Sequence, residues 1–152
     1  DSQLTWIPDQ PYTEGSWGYI GGKEQGTQTE IINTTDDPLF QTLRNDIKGY
    51  RFDVPKGIYE IEFLFTDIFR ENAGIAYQLD RDGQQENREN SFSIYANGKL
   101  LEENLSPCHE SGYFHALRKR YNITNDRDNI DIRFYSTSGK SFLNGIKLRK
   151  IY

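Results

Sequence analysis

The chain has 152 residues, enough for one ordinary folding unit, and its net charge of −5 excludes the basic footprint of a general nucleic-acid binder. No stretch approaches the roughly 18 apolar residues that span a bilayer. A single cysteine, Cys108, and two histidines, His109 and His115, exclude an internal disulfide and a Cys- or His-rich metal centre, while 21 aromatic residues are enough to fill a core and leave rings over.

In chain order, the first 48 residues hold both tryptophans, Trp6 and Trp17, with Tyr12 and Tyr19 among many Gly, Asp, Thr and Asn residues. They show little alternation and read as a long loop-rich segment, either a lid packed over one end of the fold or a binding surface. A start at Asp1 with no methionine anywhere predicts a processed chain or a fragment of something larger. Pro55-Lys56-Gly57 has tight-turn composition and leads into Ile58–Asp67, the clearest strand. Tyr59, Ile61, Phe63 and Phe65 point to one face; Glu60, Glu62 and Thr66 point to the other, predicted to meet water. The segment 72–90 reads as an exposed polar insertion, with Asp80–Glu86 a hairpin tip rather than a calcium loop, because the ligand spacing is wrong. Phe92 and Ile94 begin another alternating run, and Asn97-Gly98 is a type I′ hairpin signal into Lys99-Leu100-Leu101. Leu117, Tyr121 and Ile123 outline a strand, Ile130, Ile132 and Phe134 another, and Phe142, Asn144, Ile146 and Leu148 share one face of the last. No window carries helical periodicity for more than about two turns. About six to nine strands predict an all-β fold, a β-sandwich of jelly-roll type.

Catalytic patterns are weak. A glycosidase needs two carboxyl groups about 5–10 Å apart, one with a raised pKa; Glu60 and Glu62 are predicted to point into water, and nothing marks a cleft at Asp67 and Glu71. Cys108 and His109 are sequence neighbours with no recognisable oxyanion device, so they do not make a nucleophile–base pair. Arg118-Lys119-Arg120 is a short basic run on a predicted strand, not a nucleic-acid patch.

Four blocks in order carry a resemblance. Trp6-Ile7-Pro8-Asp9 with Tyr12-Thr13-Glu14-Gly15-Ser16-Trp17-Gly18-Tyr19-Ile20-Gly21-Gly22 comes first, then Asp37-Pro38-Leu39-Phe40-Gln41-Thr42-Leu43-Arg44. The 57–67 strand and Phe142-Leu143-Asn144-Gly145-Ile146-Lys147-Leu148 complete the set. Over nearly the whole chain the sequence resembles the malectin family, especially malectin-type domains at the C-terminal end of bacterial family 2 glycoside hydrolases of the β-galactosidase type. The resemblance implies a jelly-roll sandwich, related to galactose-binding-like domains, spanning 1–152 as one domain of a larger glycosidase. It implies a non-catalytic module that needs no cofactor or metal. Its partners would be an oligosaccharide or polysaccharide and the other domains of the parent, not nucleic acid or a membrane, in a periplasmic or extracellular setting. The alternative function is packing within the parent without sugar binding.

Sugar recognition needs aromatic faces for the apolar C–H side of a pyranose and polar groups for its hydroxyl rim. The loops 12–19, 36–45 and 67–72 supply both. By resemblance Trp17 and Tyr19 fill the first aromatic role, and Phe40 and Arg44 belong to the second segment. Phe69 is the first of an adjacent aromatic pair whose second position is Arg70. Asp67, at the strand end, is the candidate acceptor for a sugar hydroxyl, and Tyr113 is a weaker candidate. Asn45 stands where malectin has an aromatic, and Ser138 or Gly139 where it has a carboxylate, which implies a ligand other than malectin's own.

Overall fold

The computed structural model describes residues 7–34, 37–69 and 89–152, with the backbone alone at 37 and 38. The insertion expected at 72–90 lies outside the described residues except for Glu89 and Asn90. So do Trp6 and Arg70.

The alternating run of the 57–65 segment becomes the central strand β5 (Gly57–Phe65). Tyr59, Ile61, Phe63 and Phe65 all enter the core, each at most 3% exposed. β5 pairs antiparallel with β8 (Leu117–Asn125) on one side and β11 (Gly145–Lys150) on the other. Alongside runs a three-stranded sheet of β2 (Lys23–Gly26), β3 (Thr42–Asn45) and β10 (Phe142–Leu143). Facing both is a five-stranded antiparallel sheet. Its order is β1 (Trp17–Ile20), β4 (Gly49–Phe52), β9 (Ile130–Ser138), β6 (Ser91–Ala96) and β7 (Lys99–Leu105). Two short helices, α1 (Asp37–Phe40) and α2 (Pro107–Ser111), lie in connections. The result is an all-β sandwich.

Its core is aromatic. Phe63 and Phe134 meet edge-to-face across the two layers at 6.1 Å, and Phe92 and Phe142 do so at 5.5 Å. Edge-to-face rings add electrostatic preference to buried area. Asn97 (φ 50°) and Gly98 (φ 82°) both take positive φ, as the type I′ hairpin joining β6 and β7 requires.

Three expectations are corrected. The N-terminal 48 residues are not merely loop: β1, β2, α1 and β3 lie there, each four residues long, too short for alternation to show against Gly and Thr. The final run is two strands, because the 142–143 backbone pairs with β3 while 145–150 pairs with β5. Asn144 fills the fork, donating from Nδ2 to the Phe40 and Thr42 carbonyls (2.9 Å each) and accepting the Thr66 amide on Oδ1 (2.7 Å). Glu60 and Glu62 do not point into water. Glu62 is 4% exposed and meets Arg120 Nη2 (3.2 Å) and Lys147 Nζ (3.8 Å), while Glu60 pairs with Arg149 (3.0 Å). Cross-strand register puts these cations on β8 and β11 opposite the acids of β5.

Candidate functional site

The first group of expected contact residues gathers at the β1 edge. In the antiparallel pair with β4, Trp17 is opposite Phe52 and Tyr19 opposite Tyr50, so all four rings share the inner face. Trp17 stacks on Tyr50 with centroids 6.4 Å apart and planes 14° from parallel. Burial pushes the Tyr50 phenol well above its ordinary value, and the carboxylate of Asp9 adds to the shift. Arg44, from β3, lays its guanidinium 3.4 Å over the Tyr19 ring. Its Nε donates to Asp9 Oδ2 (2.9 Å) and its Nη1 to the Gly22 carbonyl (3.2 Å). Gly22 sits at φ +93°, and a Cβ there would stand 2.7 Å from Arg44 Cγ, so glycine makes room for the arginine stem. Sequence reasoning misses Asp9. The Gly21-Gly22 doublet beside Tyr19 is the available sign of a close approach.

Phe40 stands apart from that group. It is fully buried with Ile31 and Leu64 in a second small core, and the Arg118 guanidinium lies 5.2 Å from its ring. Leu64 alternates away from the core residues of β5, so this cluster covers the outer face of that strand. Packed this way, the Phe40 ring offers no face to a ligand. The neighbouring basic run is engaged in internal contacts, since Lys119 pairs with Glu110 (2.7 Å) and Arg120 with Glu62.

Asp67 and Phe69 form the second group, just past the end of β5. Asp67 is 1% exposed; its Oδ1 accepts the Phe69 amide (3.1 Å) and its backbone carbonyl accepts the Phe114 amide (3.0 Å). Oδ2 is buried with no hydrogen-bond partner of good geometry among the described residues. Burial raises the Asp67 carboxyl to about 6, although the Phe69 amide and the nearby Cys108 thiol pull the other way. The Cys108 thiol is itself pushed up by burial, and Tyr113 belongs to the same network. His109 pairs with Glu89 rather than with Cys108. The Phe69 ring packs edge-on against Phe142 at 5.7 Å.

The two groups are joined through β10, where Leu143 pairs with Arg44 and Phe142 with Asn45. Asn45 donates to Gln25 Oε1 (3.1 Å), and its own Oδ1 is buried without a hydrogen-bond partner among the described residues. At the expected carboxylate position, Gly139 takes φ +61° in a turn where Asn90 Oδ1 accepts the Lys140 amide (2.9 Å). No group of three or more His, Cys, Asp or Glu side chains among the described residues is placed to hold a metal. No helix among them is long and apolar enough to cross a membrane.

Comparison with known proteins follows the same line. The family model of the malectin domain matches residues 1–148. The chain belongs to the malectin domain family. A crystal structure of β-glucuronidase from Bacteroides uniformis superposes on this malectin domain with a TM-score of 0.87 and 66% identity over 99% of the chain. A structure of β-glucuronidase 2 from the same organism, covalently bound to cyclophellitol-6-carboxylate aziridine, has 65% identity and the same TM-score. The malectin domain spans 16% of the length of either enzyme chain. The ANX2 ectodomain from Arabidopsis thaliana shares the fold, with a TM-score of 0.64 and 17% identity over 98% of this chain and 44% of its own. A search of curated proteins finds no match.

Proposed function

We propose that this malectin domain is the non-catalytic carbohydrate-binding module of a glycoside hydrolase, holding an oligosaccharide or polysaccharide near a catalytic domain elsewhere in the parent. The observation that carries the reading is its 66% identity, across 99% of its length, to a segment of a β-glucuronidase. A β-glucuronidase parent is therefore favoured over the β-galactosidase type suggested by sequence resemblance. The setting is periplasmic or extracellular, and the other partners are the remaining domains of the enzyme. Trp17, Tyr19, Arg44, Asp67 and Phe69 are the proposed contact residues, with Phe40 supporting from beneath its loop. Binding by stacking and hydrogen bonds at such a site has dissociation constants of roughly millimolar to micromolar.

A second reading, inter-domain packing without sugar binding, is favoured by one observation. Tyr95 and Tyr135 form an edge-to-face pair (5.4 Å, 83°) on the outward side of the five-stranded sheet, with Tyr135 57% and cross-strand Leu100 47% exposed. Titrating the two tryptophans by fluorescence against a panel of oligosaccharides separates the readings. A saturable change that disappears in a folded Trp17→Ala variant supports the binding module. A flat response across the panel, with Tyr135→Ser weakening association with the rest of the enzyme, supports packing.

A further inference from the structure

One face of the Tyr19 ring is covered by the Arg44 guanidinium, 3.4 Å from the ring centroid. The arginine is held rigidly: its side chain is 13% exposed, its stem fits against Gly22, and its Nη1 is bound to the Gly22 carbonyl. Its counter-ion is held differently. Asp9 has a 41% exposed side chain, and its carboxylate makes no other hydrogen bond among the described residues. Exposed ion pairs contribute little and are screened by salt. A fixed, planar donor facing an exposed carboxylate is the arrangement by which arginine selects carboxylates in general.

From this, and resting on the carbohydrate-binding reading above, we infer that Arg44 recognises the carboxylate of an acidic sugar, a uronic-acid unit, and that Asp9 stands in for that carboxylate when the site is empty. The incoming uronate displaces Asp9 from Nε and keeps the stack of Arg44 on Tyr19 intact. A neutral sugar has no group to compete with Asp9, so it gains nothing at this position. Glu24, the cross-strand partner of Arg44, and Asp9 are the acids on either side. Their repulsion makes selectivity strongest when Asp9 is neutralised.

The test compares methyl β-glucuronide with methyl β-glucoside by tryptophan fluorescence on the 152-residue chain, at low and at physiological salt. The wild type is expected to prefer the uronide, and Asp9→Asn to tighten uronide binding about threefold to fivefold, the strength of one exposed pair, without moving the glucoside. Higher salt should erode the uronide preference. Arg44→Gln should abolish it. Asp9 is at the surface, so its variant tests the inference even if Arg44→Gln fails to fold. Glucoside and uronide bound alike, with Asp9→Asn affecting neither or both equally, would overturn the inference and leave the carbohydrate-binding reading standing. No response to either sugar or to the wider oligosaccharide panel, in wild type and variant alike, overturns both.

Discussion

Asn144 shows how much one side chain holds. It satisfies two carbonyls and one amide where the last run of chain leaves one sheet for another. Asn144→Ala leaves the part-buried Thr66 amide and Phe40 carbonyl without this partner, while water can replace the exposed bond to Thr42, and should cost about 2–4 kcal/mol, read as a lower urea midpoint at unchanged m-value. Asp67 is the titrating counterpart. Its folded pKa of about 6 lies above the ordinary 3.8, so the folded state binds the proton more tightly than the unfolded one. Stability from this group is therefore full below about pH 4 and is lost as pH rises through 6, a swing of up to about 3 kcal/mol. Asp53 acts in the opposite sense, because the Tyr12 hydroxyl, the Gly15 amide and Arg51 hold its carboxylate below the usual range. Comparing wild type with Asp67→Asn isolates the Asp67 contribution, and the variant should show a flatter stability profile between about pH 4 and pH 7.

At the scale of elements, two glycines at positive φ separate strain from packing. Gly98, at the β6–β7 hairpin, has open space within 4 Å of the point a Cβ would occupy, so Gly98→Ala meets only the left-handed backbone penalty of about 1 kcal/mol. Gly22 carries the same penalty plus collisions with Arg44 Cγ (2.7 Å) and the Asn45 carbonyl (2.9 Å). Gly22→Ala should cost more, about 2–3 kcal/mol, and by displacing Arg44 from Tyr19 should also disturb the emission of Trp17, which shares a face of β1 with Tyr19. Thermal melts of the two variants, run side by side, check the ranking. The hairpin is legible in the sequence because Asn97-Gly98 is a local signal. The Gly22 contact is not, because Arg44 is 22 residues away in sequence and arrives only when β2 and β3 pair.

For the molecule as a whole, stability rests on rings that bridge the layers. Phe142 meets Phe65, Phe69 and Phe92, and Phe142→Ala should lower stability by about 3–5 kcal/mol. Tyr135→Ser, on the outward sheet face, should stay within about 0.5 kcal/mol in the isolated chain. Equal losses from the two in chemical denaturation would contradict this division between core and surface.

What the sequence by itself determined was the fold class and the inner face of the long strands. Period-two alternation is a local property, and Tyr59, Ile61, Phe63 and Phe65 can only be buried together. The residue blocks were likewise enough to place the chain in its family. What only the tertiary structure decided was the state of the charged and aromatic side chains. Glu62 looks solvated along β5 until β8 and β11 bring Arg120 and Lys147 beside it. Phe40 looks like a loop aromatic until it closes over Leu64. Tyr19 looks free to stack until Arg44, seated against Gly22, covers it. The reason is physical: burial and charge pairing depend on neighbours brought together across strand register, and a single strand's pattern carries no record of which residues those will be.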